Sequence, residues 1–206
     1  MAIYIFLTIF FVLFAYFSWK KPDFAVSLIV FALPSYLIRF KIGSVPLTFL
    51  EIMILILFFA WLIKVLAKKG FSTVTFSKYK YLILLFIITA SIAVLVSDNR
   101  IAAFGIWKAY FLEPILFFIV LINTIRSKRQ WNLIITAIGF SALVVAILAV
   151  VQQFTGWGIP NELWRDAATR RVTSIFGYPN AVGLYLAPIA VLFFGKLLME
   201  FSKKKK

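Results

Sequence analysis

Uncharged apolar runs alternate along this chain with short polar or basic links, and seven of the runs read as membrane-crossing helices. They fall at 2–19, 24–38, 47–66, 81–96, 101–122, 131–151 and 181–199. The first closes on Trp19-Lys20-Lys21 and lacks the basic start and small-residue cleavage site of a signal peptide, so it is kept as a span. Pro22-Asp23 turns the chain into the second, which Pro34 is expected to kink near one end. Arg39 to Pro46, with Lys41 and Gly43, reads as a short polar link. The third span has Glu51 near its start and Lys64 near its finish, where a lysine stem can reach the interface. Lys68, Lys69, Lys78 and Lys80 around Gly70 form a basic link to the fourth. The fifth holds Lys108, Glu113 and Pro114 inside an apolar pattern, and 101–110 reads either as its beginning or as an interfacial helix. The sixth carries no charge, and a long loop, 152–180, separates it from the seventh. The expected fold is all-α and integral to a membrane: one polytopic bundle of about seven transmembrane helices over 1–206, without internal repeats.

Charge orients the bundle. Counting alternate links, fifteen lysines and arginines fall on one side and six on the other, with Lys108 assigned to neither. The positive-inside rule then puts the N-terminus outside, the C-terminus in the cytoplasm and the loop 152–180 outside. On that reading Glu51 lies in the outer half of its span. Lys108 and Glu113 lie about 10 Å and about 18 Å below the start of theirs. Five residues apart on an α-helix, they do not share a face, so each is expected to find a partner on another helix. The alternative is that Lys108 snorkels outward while Glu113 is protonated or bonded to a neighbouring helix.

Composition narrows the chemistry. At 206 residues the chain is 64% hydrophobic with 24 phenylalanines, and its mean hydropathy is +1.02. That excludes an ordinary soluble domain. A net charge of +15 would suggest nucleic acid in a soluble protein. Here the basic residues sit between apolar runs, where anchoring and anionic lipid explain them, and no nucleic-acid partner is expected. With no Cys and no His, disulfides, thiolate chemistry and the common zinc sites are excluded within these residues. No cofactor or metal is expected, and proton transfer falls to Glu, Asp, Lys, Tyr or water.

The longest polar passage, from Arg165 to Asn180, contains Arg165, Arg170 and Arg171 and runs into the last span through Pro179-Asn180. Asn180 is expected to cap that helix. Guanidiniums beside a helix start favour a phosphate or diphosphate, although interfacial arginines also serve as plain surface anchors. Such a site at the outer face suits a lipid-linked diphosphate, with Glu51 or Glu113 orienting or deprotonating an acceptor hydroxyl.

Arg171-Val-Thr-Ser-Ile-Phe-Gly-Tyr-Pro-Asn180-Ala-Val-Gly183 resembles the Arg-x-x-(Ser/Gly)-x-Phe-Gly-x-Pro-Asn-x-x-Gly stretch of bacterial O-antigen ligases and O-antigen polymerases. Gly105-Ile-Trp-Lys108-Ala-Tyr-Phe-Leu-Glu113-Pro114 resembles a second segment of that family. The resemblance implies a GT-C-like membrane glycosyltransferase of the bacterial inner membrane. It would move glycan from undecaprenyl diphosphate to a lipid, protein or growing-chain acceptor at the extracytoplasmic face, as in lipopolysaccharide biosynthesis. It implies that Arg171, with Arg170 beside it, faces the diphosphate, that Pro179 and Asn180 shape the junction, and that Lys108 and Glu113 line the same cavity. Family members are longer, with a second outer loop that carries a histidine. The chain is therefore expected to be an N-terminal half, truncated after the motif. A transporter or flippase of an anionic lipid or sugar phosphate, or a non-catalytic membrane subunit, is the alternative.

Overall fold

The computed structural model describes residues 2–42, 45–67 and 80–204. Gly43, Lys68, Lys69, Gly70, Lys78, Lys205 and Lys206 lie outside the described residues. Of the described residues, 81% are helical. In order come α1 (Ala2–Lys20), α2 (Pro22–Phe31), a 3₁₀ turn (Leu33–Leu37), β1 (Arg39–Ile42), β2 (Val45–Thr48), α3 (Phe49–Ala67) and α4 (Lys80–Leu95). Then follow α5 (Arg100–Trp107), a π-turn (Lys108–Leu112), α6 (Glu113–Thr124), α7 (Lys128–Thr155), α8 (Glu162–Arg165) and α9 (Pro179–Lys204).

Among the described residues four helices are long and apolar enough to cross a membrane: Phe49–Ala67, Arg100–Thr124, Lys128–Thr155 and Pro179–Ser202. Three more apolar stretches, Ile5–Lys20, Pro22–Phe31 and Lys80–Leu95, are shorter. Residues 101–110 belong to the continuous helix Arg100–Thr124, not to a separate interfacial one. α7 opens on a capping box, in which the Ser127 side chain accepts from the Gln130 N–H and the Gln130 side chain returns to the backbone of Ser127. It closes on Gly156, whose φ of +69° is the left-handed cap that a side chain would strain.

Two expectations are corrected here. The second span is not one kinked helix over 24–38. Its α-helix stops at Phe31, and Pro34 sits at the start of the 3₁₀ turn. Proline cannot donate to the carbonyl four residues back and crowds its predecessor out of the α conformation, so the helix ends ahead of it. Ten residues rise about 15 Å, half the apolar thickness of a bilayer. The link 39–46 is also not a plain loop. It pairs as an antiparallel hairpin, Arg39 opposite Thr48 and Lys41 opposite Pro46.

Short as it is, α2 lies at the centre. Ala25, Val26 and Ile29 are fully buried, against Phe14 of α1, Met53 and Leu57 of α3, Val120 of α6 and Ile134 of α7. Phe49 joins α3 to α1 through ring contacts with Phe10 at 4.9 Å and Phe11 at 5.0 Å. The far ends of α1 and α3 are tied where the Lys64 ammonium donates to the Trp19 carbonyl and rides 5.2 Å above its ring. A second, smaller cluster of Val145, Phe176, Ala181 and Val182 fastens the loop and α9 to the later part of α7. Leu184, Val191 and Phe194 stay exposed on α9, as suits a helix whose surroundings are apolar.

Candidate functional site

The loop before α9 is built on Gln152. This amide is buried at the end of α7, in helical phase with the buried Ile134, Ser141 and Val145. Its Oε1 accepts from the N–H groups of Thr173 (2.9 Å) and Ser174 (2.6 Å), and its Nε2 donates to the Ser174 carbonyl (3.0 Å). Ser174 has a φ of +50°, unusual for a residue with a side chain, and its hydroxyl donates to the Val145 carbonyl at 2.8 Å. One uncharged side chain therefore satisfies three backbone groups of a turn that no strand or helix supports. Nothing in the motif flags Gln152. The signal is its phase on the apolar face of α7.

The three arginines divide. Arg165 gives Nε and Nη2 to the Ile159 carbonyl, at 3.2 and 2.7 Å. Arg170 gives Nε and Nη2 to the Arg165 carbonyl and Nη1 to the Gln153 carbonyl. Arg165 staples the loop to itself, and Arg170 also fastens it to the last turn of α7. Arg171 is exposed, and its Nη2 donates to Asn180 Oδ1 at 3.2 Å, beside the start of α9. Asn180 is not the helix cap that the sequence suggests. Pro179 opens the helix, which puts Asn180 in the first turn with its side-chain oxygen turned to Arg171. Arg170, Arg171, Pro179, Asn180, Val182 and Gly183 line an open cleft of about 660 Å³. A cleft with a guanidinium and the first turn of a 26-residue helix on its wall is electrostatically suited to an anion.

The charged residues of the fifth and third spans meet. Thr48 and Glu51 close a capping box on α3, the Glu51 N–H donating to Thr48 Oγ1 at 3.1 Å and the Thr48 N–H to Glu51 Oε2 at 3.3 Å. Glu51 Oε1 then receives the Lys108 ammonium at 2.7 Å, and Lys108 also donates to the Pro46 carbonyl at 3.2 Å. The Thr48-x-x-Glu51 spacing is the sequence signal for the box. Lys108 opens the π-turn, in which the Glu113 N–H bonds back to the Lys108 carbonyl, five residues earlier. That bond stacks the two residues one turn apart, where an α-helix would have splayed them. Glu113 is buried near Glu51 and Lys108, and among the described residues its Oε1 has no hydrogen-bond partner.

The Tyr36 phenol of the 3₁₀ turn lies in the neighbourhood of Tyr178 in the motif, Tyr110 in the π-turn and Arg39 on the hairpin. The motif loop, the hairpin and the Glu51–Lys108 pair therefore share one end of the bundle. Asp23 and Gln130, which meet at 3.4 Å, mark the opposite end with the starts of α2 and α7. Among the described residues no group of His, Cys, Asp and Glu is placed to hold a metal ion. Compared with protein-family models, with curated proteins and with solved structures, the chain finds no match.

Proposed function

We propose that the chain is a glycosyltransferase unit of the O-antigen ligase and polymerase type. In this reading it transfers or polymerises glycan from undecaprenyl diphosphate at the outer face of a bacterial inner membrane, with seven spans and the C-terminus in the cytoplasm. The observation that carries the reading is Arg171, the one motif arginine not spent on loop carbonyls, set beside the first turn of α9 in an open cleft. A diphosphate there meets a planar fork of donors and a positive helix end, while the apolar flanks of α7 and α9 suit a prenyl chain. In this reading the acceptor is a lipid, protein or growing glycan, and its hydroxyl is served by Glu51 or Glu113. The test is binding of undecaprenyl diphosphate to the chain in detergent, wild type against Arg171→Ala. Undiminished binding by the variant rejects the reading.

The second reading, a transporter of an anionic lipid or sugar phosphate, draws on the pairing of Lys108 with the buried Glu51 and on the buried Glu113 of the fifth span. Movement of such a substrate across proteoliposomes without glycan transfer selects it.

A further inference from the structure

One face of α7 carries a second site, and the geometry points to an anionic glycerophospholipid as its occupant. This inference stands apart from the glycan-transfer reading. Lys21, Arg129, Asn132, Leu133 and Thr136 line a cavity of about 640 Å³ at the end of the bundle opposite Arg171. Thr136 also lines a second cavity, of about 580 Å³, between α7 and α9. On α7 that cavity continues along Gly139, Phe140, Leu143 and Ala146, and its wall on α9 includes Leu186, Ala190 and Phe193. The two adjoin at Thr136, so a basic mouth opens onto an apolar groove.

The sequence of α7 produces this shape. Arg129, Asn132, Leu133, Thr136, Phe140 and Leu143 recur every three or four residues, which sets them on one face, while Ile134, Ser141 and Val145 are buried on another. At Gly139 the Phe193 ring lies so near that an added Cβ would stand 2.7 Å from it, and the Ser141 and Tyr185 hydroxyls meet at 2.6 Å. These contacts hold α9 against α7 and close one side of the groove. From Arg129 to Ala146 the face rises about 25 Å, against roughly 20 Å for one bilayer leaflet with its headgroups. A lipid standing in its leaflet matches that length from head to tail.

The mouth is charged for an anion. Among the described residues neither the Lys21 ammonium nor the Arg129 guanidinium has a hydrogen-bond or ion-pair partner. Asp23 shares the wall, but its Oδ1 accepts from the Phe24 N–H at 3.0 Å and its Oδ2 from Gln130 Nε2 at 3.4 Å. Two unpaired cations thus face one carboxylate that is already engaged. Basic pockets of this kind between spans favour a phosphate head with net negative charge over a zwitterionic one. In the orientation proposed above, this end meets the cytoplasmic leaflet. A free phosphate would use the mouth alone, and the groove beneath it is what commits the site to a lipid.

The experiment is native mass spectrometry of the whole chain released from detergent micelles that hold equal phosphatidylglycerol and phosphatidylcholine with matched acyl chains. The wild type is expected to retain phosphatidylglycerol over phosphatidylcholine by about tenfold or more, and Lys21→Gln and Arg129→Gln each to lose about fivefold of that preference. Ala142→Phe, which fills the groove while both cations remain, should weaken retention of both lipids. Lys128→Gln, next to Arg129 but outside the cavity wall, should change nothing. Equal retention of the two lipids by the wild type overturns the proposal, and that result requires no variant to fold. Equal losses in Lys128→Gln and Arg129→Gln overturn it by assigning the preference to diffuse charge. Undiminished retention by Ala142→Phe does so by putting the acyl chains elsewhere. Displacement of phosphatidylglycerol by added inorganic phosphate would give the mouth to a free anion, and a lipid-free dimer as the main species would give the groove to a second copy. Either result rejects the lipid.

Discussion

Lys108 Nζ stands 2.7 Å from Glu51 Oε1, so an ion pair within the bundle fixes how the spans beginning at Phe49 and Arg100 lie against each other. Its two ends differ in burial, with the Glu51 side chain 4% exposed and that of Lys108 22%. Removing the lysine strands a buried carboxylate. Lys108→Met should lower stability in detergent by about 3–5 kcal/mol, read as a fall in the thermal midpoint. The double variant Glu51→Gln with Lys108→Met should recover most of that loss, because no charge is then left alone. Additive losses in that cycle would show that the pair carries no coupling.

Gln152 should matter more to the loop than any residue of the motif itself. Gln152→Leu leaves the N–H groups of Thr173 and Ser174 buried without acceptors, each worth about 1–3 kcal/mol. Limited proteolysis should cut between Thr155 and Pro179 faster in this variant. At Ser174 the two small substitutions separate backbone from side chain. Ser174→Ala loses the bond to Val145, whereas Ser174→Gly loses the same bond but relaxes the positive φ. Glycine should therefore be the milder change, by about 1 kcal/mol.

The arginines predict opposite phenotypes. Arg165→Ala and Arg170→Ala should loosen the loop to proteases, since each gives up bonds to main-chain carbonyls. Arg171→Ala should leave proteolysis unchanged and weaken undecaprenyl diphosphate binding by about 10- to 100-fold, the value of one charge-assisted hydrogen-bonding group. Arg171→Lys should restore only part of it, because a point charge lacks the planar fork. Equal proteolytic sensitivity in all three alanine variants would remove the distinction between staples and ligand-facing arginine.

Orientation can be read directly, because the chain has no cysteine of its own. Ala168→Cys, exposed in the motif loop, should react with an impermeant maleimide in intact cells. Lys128→Cys, exposed at the start of α7, should react only after the membrane is opened. The reverse pattern would invert the topology and put the arginine cleft in the cytoplasm.

Much of this architecture was legible because apolar runs announce helices, and the starts of α3, α4, α5 and α7 lie within a few residues of where the pattern places them. What escaped depended on contacts remote in sequence. The hairpin consists of two four-residue strands, and strands that short are defined by each other, not by their own pattern. The shortening of the second span was written in Pro34, which reads equally as a kink or a stop until packing decides. The closeness of Lys108 and Glu113 was hidden for a different reason. The angle between them was taken from α geometry, and the π-turn alters it. Gln152 escaped because an uncharged amide beyond an apolar run looks like the start of a loop.

A π-turn is an α-helix holding one residue too many. Deleting a single position, Ala109 for instance, would let the fifth span wind without interruption from Arg100 to Thr124. The segment before the deletion would swing about 100° around the axis and draw in by about 1.5 Å. The ammonium would leave Glu51, and α5, which packs against α4, would turn away with it. The span is thus two rods with separate azimuths, and one supernumerary residue sets the phase between them.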